Sequence, residues 1–159
     1  MPPLISVVSG HATHAELRRL KLFSGLSDGD MDCVVALTTP LEVRTGTELC
    51  RQGEEGRQFL IIERGEAQVS VDGVNIAVLR AGDFFGEIAL LDGGTRVATV
   101  RALTPMRLHV ATAGEFHMLL MSVPSLTRQI LTTTAIRLRR VLERQYRQVP
   151  DMSRRQPLF

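Results

Sequence analysis

The chain has no tryptophan, one tyrosine and six phenylalanines in 159 residues, so rings cannot carry its core and burial falls to Val, Ile, Leu and Ala. Hydrophobic residues at 44% and charged residues at 23% are ordinary for a soluble globular protein. The length suits one domain, with a core large enough to stand without covalent staples. Only two cysteines are present, Cys33 and Cys50, in neither a paired metal-ligand spacing nor a secretory context. That excludes a disulfide scaffold, leaves a single Cys33–Cys50 bridge open, and points to a reducing, cytoplasmic setting. No apolar run approaches the ~20 residues that span a bilayer, and the opening Pro2 to Val8 lacks the basic flank of a leader, so no transmembrane or signal segment is expected. Charge is nearly balanced at a formal +2, which gives no whole-chain attraction to nucleic acid or to an anionic membrane.

What is present is a change of texture along the chain. Residues 1–15 read as a flexible tail. A short helical segment carries Leu17, Leu20 and Leu22-Phe23, and a second helix is capped by Ser27, with Asp28 and Asp30 in its first turn and Pro40 as its stop. From about 41 to 111 the pattern is short β runs, such as Phe59-Leu60-Ile61-Ile62, Gln68-Val69-Ser70-Val71, Ala77-Val78-Leu79 and Ala98-Thr99-Val100, punctuated by glycines. Strands at this spacing predict a closed all-β sandwich or barrel, and Asp72-Gly73 is a tight hairpin signal. Helix returns over about 112–147. Thr112 and Glu115 have capping-box spacing, Pro124 ends the first helix, and Ser125 is the expected cap of a longer one. Residues 148–159 read as a second flexible tail.

Within the β region, Gly82-Asp83-Phe84-Phe85-Gly86-Glu87-Ile88-Ala89-Leu90-Leu91 followed by "DGGTRVATV" puts a glutamate and an arginine into apolar surroundings. Good helix formers start at Glu87 and stop at Asp92-Gly93-Gly94, so a one-turn helix is expected between strands. The free amides of its first turn, near Ile88 and Ala89, favour an anion. The Arg96 guanidinium, brought back towards them, supplies fork geometry for a phosphate. A carboxylate beside that anion is repulsive unless it accepts from hydroxyls, and a sugar has hydroxyls. The pattern therefore asks for a phosphate and a ribose together.

That stretch resembles the phosphate-binding cassette of the cyclic nucleotide-binding domains found in kinase regulatory subunits, bacterial catabolite activators and gated channels. "LFSGL", "GEEGRQFLIIERGEAQV" and the helix-Pro-helix ending extend the resemblance over roughly Leu17 to Arg144. It implies an α+β fold: an antiparallel β-roll or jelly-roll barrel flanked by N-terminal helices and a C-terminal helix pair, with the domain over 16–147. It also implies ligand contacts from Gly86, Glu87, Ile88, Ala89, Arg96, Val97 and Ala98, with Glu87 on the ribose 2′-hydroxyl and Arg96 on the cyclic phosphate. Val97 stands where a Ser or Thr would bond guanine, so the resemblance tilts towards cyclic AMP, with cyclic GMP as the alternative ligand.

The function expected is a cyclic-nucleotide sensor or regulatory domain that moves its C-terminal helix, not an enzyme. No cofactor or metal is expected. A homodimer or an effector protein would pair through that helix, where Leu131, Leu138 and Val141/Leu142 recur at a spacing that suits a lid or a seam. The competing readings are a ligand-free interaction module of the same fold and a regulatory partner of a separate effector. At the residue level, Glu87 and Arg96 could form a buried ion pair that merely holds a turn. His11 and His14 lack a third ligand, His109 and His117 lack a motif partner, and the row Arg137, Arg140, Arg144 and Arg147 reads as a solvated helix face. Val149 to Phe159 is too short for a helix-turn-helix, so DNA binding by this chain alone is not expected.

Overall fold

The computed structural model describes residues 5–7 and 14–147. The order of elements is β1 (Ile5–Val7), α1 (His14–Arg18), a 3-10 turn (Lys21–Phe23), α2 (Asp28–Ala36), β2 (Thr39–Val43), β3 (Glu48–Cys50), β4 (Gln58–Arg64), β5 (Ala67–Val71) and β6 (Val74–Leu79). It continues with β7 (Phe84–Phe85), α3 (Glu87–Asp92), β8 (Thr99–Ala102), β9 (Met106–Thr112), α4 (Ala113–Ser122) and α5 (Pro124–Arg147). The strands form two antiparallel sheets, β1-β2-β9-β4-β7 and β3-β8-β5-β6. This is the expected β-roll with helices on one side.

The run Phe59-Leu60-Ile61-Ile62 shows how the two layers are built. Side chains alternate across a strand, and β4 is buried on both faces, so an unbroken apolar run is what the position requires. Phe59 and Ile61 enter a cluster shared with the helices, which includes Leu17, Phe23, Met31, Phe116 and Ile130. Leu60 and Ile62 enter the roll interior with Val43, Phe85, Val100 and Leu108. Phe84 and Phe85 divide in the same way. The scarce rings are concentrated at this seam, where Phe59 lies 5.6 Å from Phe84 and 4.7 Å from Phe116 between ring centres.

Local signals act as expected at several termini. Ser27 Oγ accepts from the Asp30 amide, and Thr112 with Glu115 forms a complete capping box. Asp72 and Gly73 both take positive φ in the β5–β6 turn, 51° and 77°. Three expectations change. Where a tail was expected over residues 1–15, Ile5–Val7 pairs with Val43–Leu41 as an edge strand, and α1 already begins at His14. The first helical segment is broken into α1 and a 3-10 turn. Ser125 does not cap the last helix: α5 begins at Pro124, whose fixed φ and missing amide suit the first helical position. Cys33 and Cys50 are both unpaired. The tail expected over 148–159 lies outside the described residues, as does His11.

Among the described residues no helix is long and apolar enough to cross a membrane. α5 runs for 24 residues, about 36 Å at 1.5 Å per residue. Its first turns bury Leu126 and Ile130 in the helical cluster, and the rest passes along the mouth of a cavity in the roll.

Candidate functional site

Three pieces of chain meet around this cavity of about 330 Å³: the segment after β7, the wall of the four-stranded sheet, and α5. The first piece depends on a backbone shape that only glycine takes easily. Gly86 ends β7 and serves as the N-cap of α3 with φ of 94°. A Cβ there would sit 2.6 Å from Arg96 Nη1 and 2.6 Å from the Gln58 carbonyl oxygen, so the arginine can approach only because the side chain is missing. Gly56 makes the same allowance from the other side, where a Cβ would meet that of Ala89 at 2.5 Å.

Arg96 is 7% exposed. Its Nη1 donates to the Gly86 carbonyl at 3.1 Å and its Nη2 to the Gln58 carbonyl at 2.8 Å. Its backbone is clamped as well, since Arg96 N donates to Glu54 O and Arg96 O accepts from Gly53 N. Among the described residues no carboxylate lies within ion-pair distance of this guanidinium. Two of its five N–H groups are used on neutral carbonyls, and the buried positive charge faces the cavity uncompensated.

Glu87, the first residue of α3, is 2% exposed. Its Oε1 accepts from the Thr134 hydroxyl at 3.1 Å and lies 3.6 Å from Arg137 Nη1. Arg137 in turn lies over the Phe84 ring, 4.6 Å from its centre. The buried Glu87–Arg96 pair considered from sequence therefore does not form. Each charge has different neighbours, and the cation beside Glu87 comes from α5.

All seven residues expected from sequence, Gly86, Glu87, Ile88, Ala89, Arg96, Val97 and Ala98, line the cavity. Sequence reasoning missed the opposite wall. Arg137, Arg140 and Arg144 line the cavity together with Val141, so the row read as a solvated face, whose Arg140, Arg144 and Arg147 are indeed exposed, also borders the cavity mouth. Arg144 Nη1 also donates to the Ile76 carbonyl across the mouth at 3.4 Å. The three-four spacing of these arginines was a visible signal, but spacing alone does not say which way a helix face turns. Thr134 gave no signal at all. Cys50 also lines the cavity. Burial pushes its thiol up, with Arg96 pulling the other way, so it forms a neutral part of the wall.

Among the described residues the histidines stand apart from the cavity. His109 is fully buried on β9, with Nε2 2.6 Å from Glu63 Oε2, and Arg107 Nε donates to the same oxygen at 2.9 Å. It therefore has the partner that the sequence pattern did not reveal. Burial lowers its pKa below the ordinary value, partly opposed by Glu63. Its Nδ1 is buried without a hydrogen-bond partner. His14 pairs with Asp32 at 2.8 Å, and among the described residues no cluster of three or more His, Cys, Asp or Glu could hold a metal.

Comparison with known proteins agrees with this architecture. The cAMP-dependent protein kinase regulatory subunit of Yarrowia lipolytica is 38% identical over 101 residues, 62% of this chain and 26% of that protein. A cyclic nucleotide-gated potassium channel of Rhizobium etli is 36% identical over 112 residues, 70% of this chain and 31% of the channel. The chain thus spans about a quarter to a third of these two relatives' length. A solved cyclic nucleotide-binding domain from Methylobacillus flagellatus superposes with a TM-score of 0.76 over 94% of this chain and 93% of the other; at 22% identity it shows the shared fold. The profile of the cyclic nucleotide-binding domain family matches residues 40–123, a span that contains β3 to β9 and the whole Gly86–Ala98 segment, and the chain belongs to that family.

Proposed function

We propose that the cavity binds a cyclic nucleotide, cyclic AMP in preference to cyclic GMP, as a regulatory ligand that leaves unchanged. The observation that carries this reading is Arg96, a buried guanidinium fixed by two backbone carbonyls and lacking a carboxylate, beside a buried glutamate at the start of a helix. The cyclic phosphate supplies the missing negative charge, with help from the first-turn amides of α3, and a ribose hydroxyl donates to Glu87. A cavity of about 330 Å³ falls within the usual range for small-ligand sites, roughly 300–1,000 Å³. The base then lies between the apolar wall of Val69 and Ile76 to Leu79 and the Arg140, Val141 and Arg144 side of α5.

α5 is the element through which occupancy becomes a signal in this reading, because it touches Glu87 and borders the base position at once. Leu131 and Leu138 remain more than half exposed, and a second copy or an effector protein would pair along them.

Calorimetric titration with both nucleotides tests the selectivity. Val97 lines the cavity and has no hydroxyl for guanine. Cyclic AMP is expected to bind about 5- to 20-fold tighter, the worth of one hydrogen bond, and Val97→Thr should narrow the gap by raising affinity for cyclic GMP. A wild type that prefers cyclic GMP contradicts the selectivity. The ligand-free module reading predicts no heat and no displacement of a fluorescent cyclic nucleotide.

A further inference from the structure

Thr134 stands in the middle of α5, where a threonine hydroxyl normally bonds back to a carbonyl of its own helix. Thr127, two turns earlier, stays local: its Oγ1 donates to Leu120 O in α4 at 2.7 Å and to Val123 O, just ahead of α5, at 3.3 Å. Thr134 instead reaches across 47 positions of sequence to Glu87 Oε1 at 3.1 Å. Arg137 lies 3.6 Å from the same oxygen, beyond hydrogen-bond length, and its guanidinium is committed to the Phe84 ring. Arg137 therefore supplies charge, while the directional contact comes from Thr134 alone. Both contacts from α5 fall on Oε1, so α5 makes no claim on the second carboxylate oxygen.

We infer that Thr134 is a positioning residue: it fixes the rotation of the Glu87 carboxylate so that the free oxygen faces the ribose 2′-hydroxyl, and it thereby sets the discrimination between ribose and deoxyribose ligands. This rests on the proposed function, since it assigns a partner to the carboxylate of that same site. The physical basis is preorganisation. A glutamate free to rotate must be ordered by the ligand itself, and that ordering subtracts from the hydrogen bond it makes. In the valine variant the β-branch remains and only the hydroxyl is lost.

The test compares the affinities of cyclic AMP and 2′-deoxy cyclic AMP for wild type, Thr134→Val and Thr134→Ser by calorimetry. Wild type is expected to prefer the ribose ligand. Thr134→Val should reduce that preference roughly 3- to 10-fold while leaving the affinity for the deoxy ligand unchanged, and Thr134→Ser should retain it. A threonine that only supports the fold would weaken both ligands equally in Thr134→Val, and that result overturns the inference, as does an unchanged ribose preference. A wild type that binds neither ligand overturns the proposed function itself and takes the inference with it, so the two failures are told apart by the wild-type titration.

Discussion

At the scale of single residues, the site is made by two buried charges that are kept from neutralising each other. Arg96 takes backbone carbonyls and Glu87 takes α5, an arrangement that leaves each with capacity for a ligand group. A third buried ionisable group, His109, has no part in the cavity but sets a pH dependence. Its folded-state pKa lies below the ordinary value of about 6.5, so the unfolded chain binds more protons as pH falls through that range. Its contribution to stability is therefore present above about pH 6.5 and lost on acidification. The unpartnered Nδ1 adds to the cost, since a proton placed there has no acceptor. Chemical denaturation between pH 7 and 5.5 should show wild type losing stability, with a flatter slope in His109→Gln. Rising stability over that window contradicts the assignment. Much of the residue scale was legible in advance: Glu87 and Arg96 announced themselves as charges in an apolar stretch. The missed residues, Thr134, Arg137 and the Glu63 partner of His109, are 47, 50 and 46 positions away from what they touch, and no local pattern encodes such pairings.

At the scale of elements, the decisive piece is the strand-glycine-helix turn of β7, Gly86 and α3. Gly86→Ala meets two penalties there. The left-handed backbone costs a residue with a Cβ about 1–2 kcal/mol, and the new methyl collides with Arg96 and the Gln58 carbonyl at 2.6 Å. The expected outcome is a lower melting temperature together with loss of nucleotide affinity, because relief of the clash moves the guanidinium. A variant with wild-type affinity would show that Arg96 does not depend on this approach. The sequence disclosed α3 through its helix formers and its glycine stop, and it disclosed β4 through an unbroken apolar run. It did not disclose that Pro124 rather than Ser125 opens α5, because either residue suits a helix start. Nor did periodicity show that the largely exposed arginine row also borders a cavity, since a face wholly in solvent satisfies the same three-four spacing.

At the scale of the whole molecule, α5 is anchored at its start by Leu126 and Ile130 and meets the site only further along, through Thr134 and Arg137. If Glu87 takes a ribose hydroxyl as proposed, a rod anchored at one end and touching that carboxylate at its middle is suited to move as a unit when the carboxylate gains its new partner. A ligand shifts such an equilibrium only through contacts that differ between two positions of the helix, and in the proposed function Glu87 is where they would differ. Hydrogen exchange should therefore show cyclic AMP changing protection over residues 87–91 and 131–144 together, while the β-roll stays constant. A response confined to residues 87–91 would make α5 a fixed wall. Leu138, exposed on α5, should not alter nucleotide affinity when changed to Asp, but that substitution should abolish any ligand-dependent association seen on sizing.

All of these motions presuppose that a cyclic phosphate sits on Arg96, and calorimetry of cyclic AMP with wild type and Arg96→Ala tests that most directly. Removing a buried charge-assisted contact should weaken binding about 30- to 1,000-fold while circular dichroism shows the fold retained. Equal affinity of the two proteins for cyclic AMP would contradict the account.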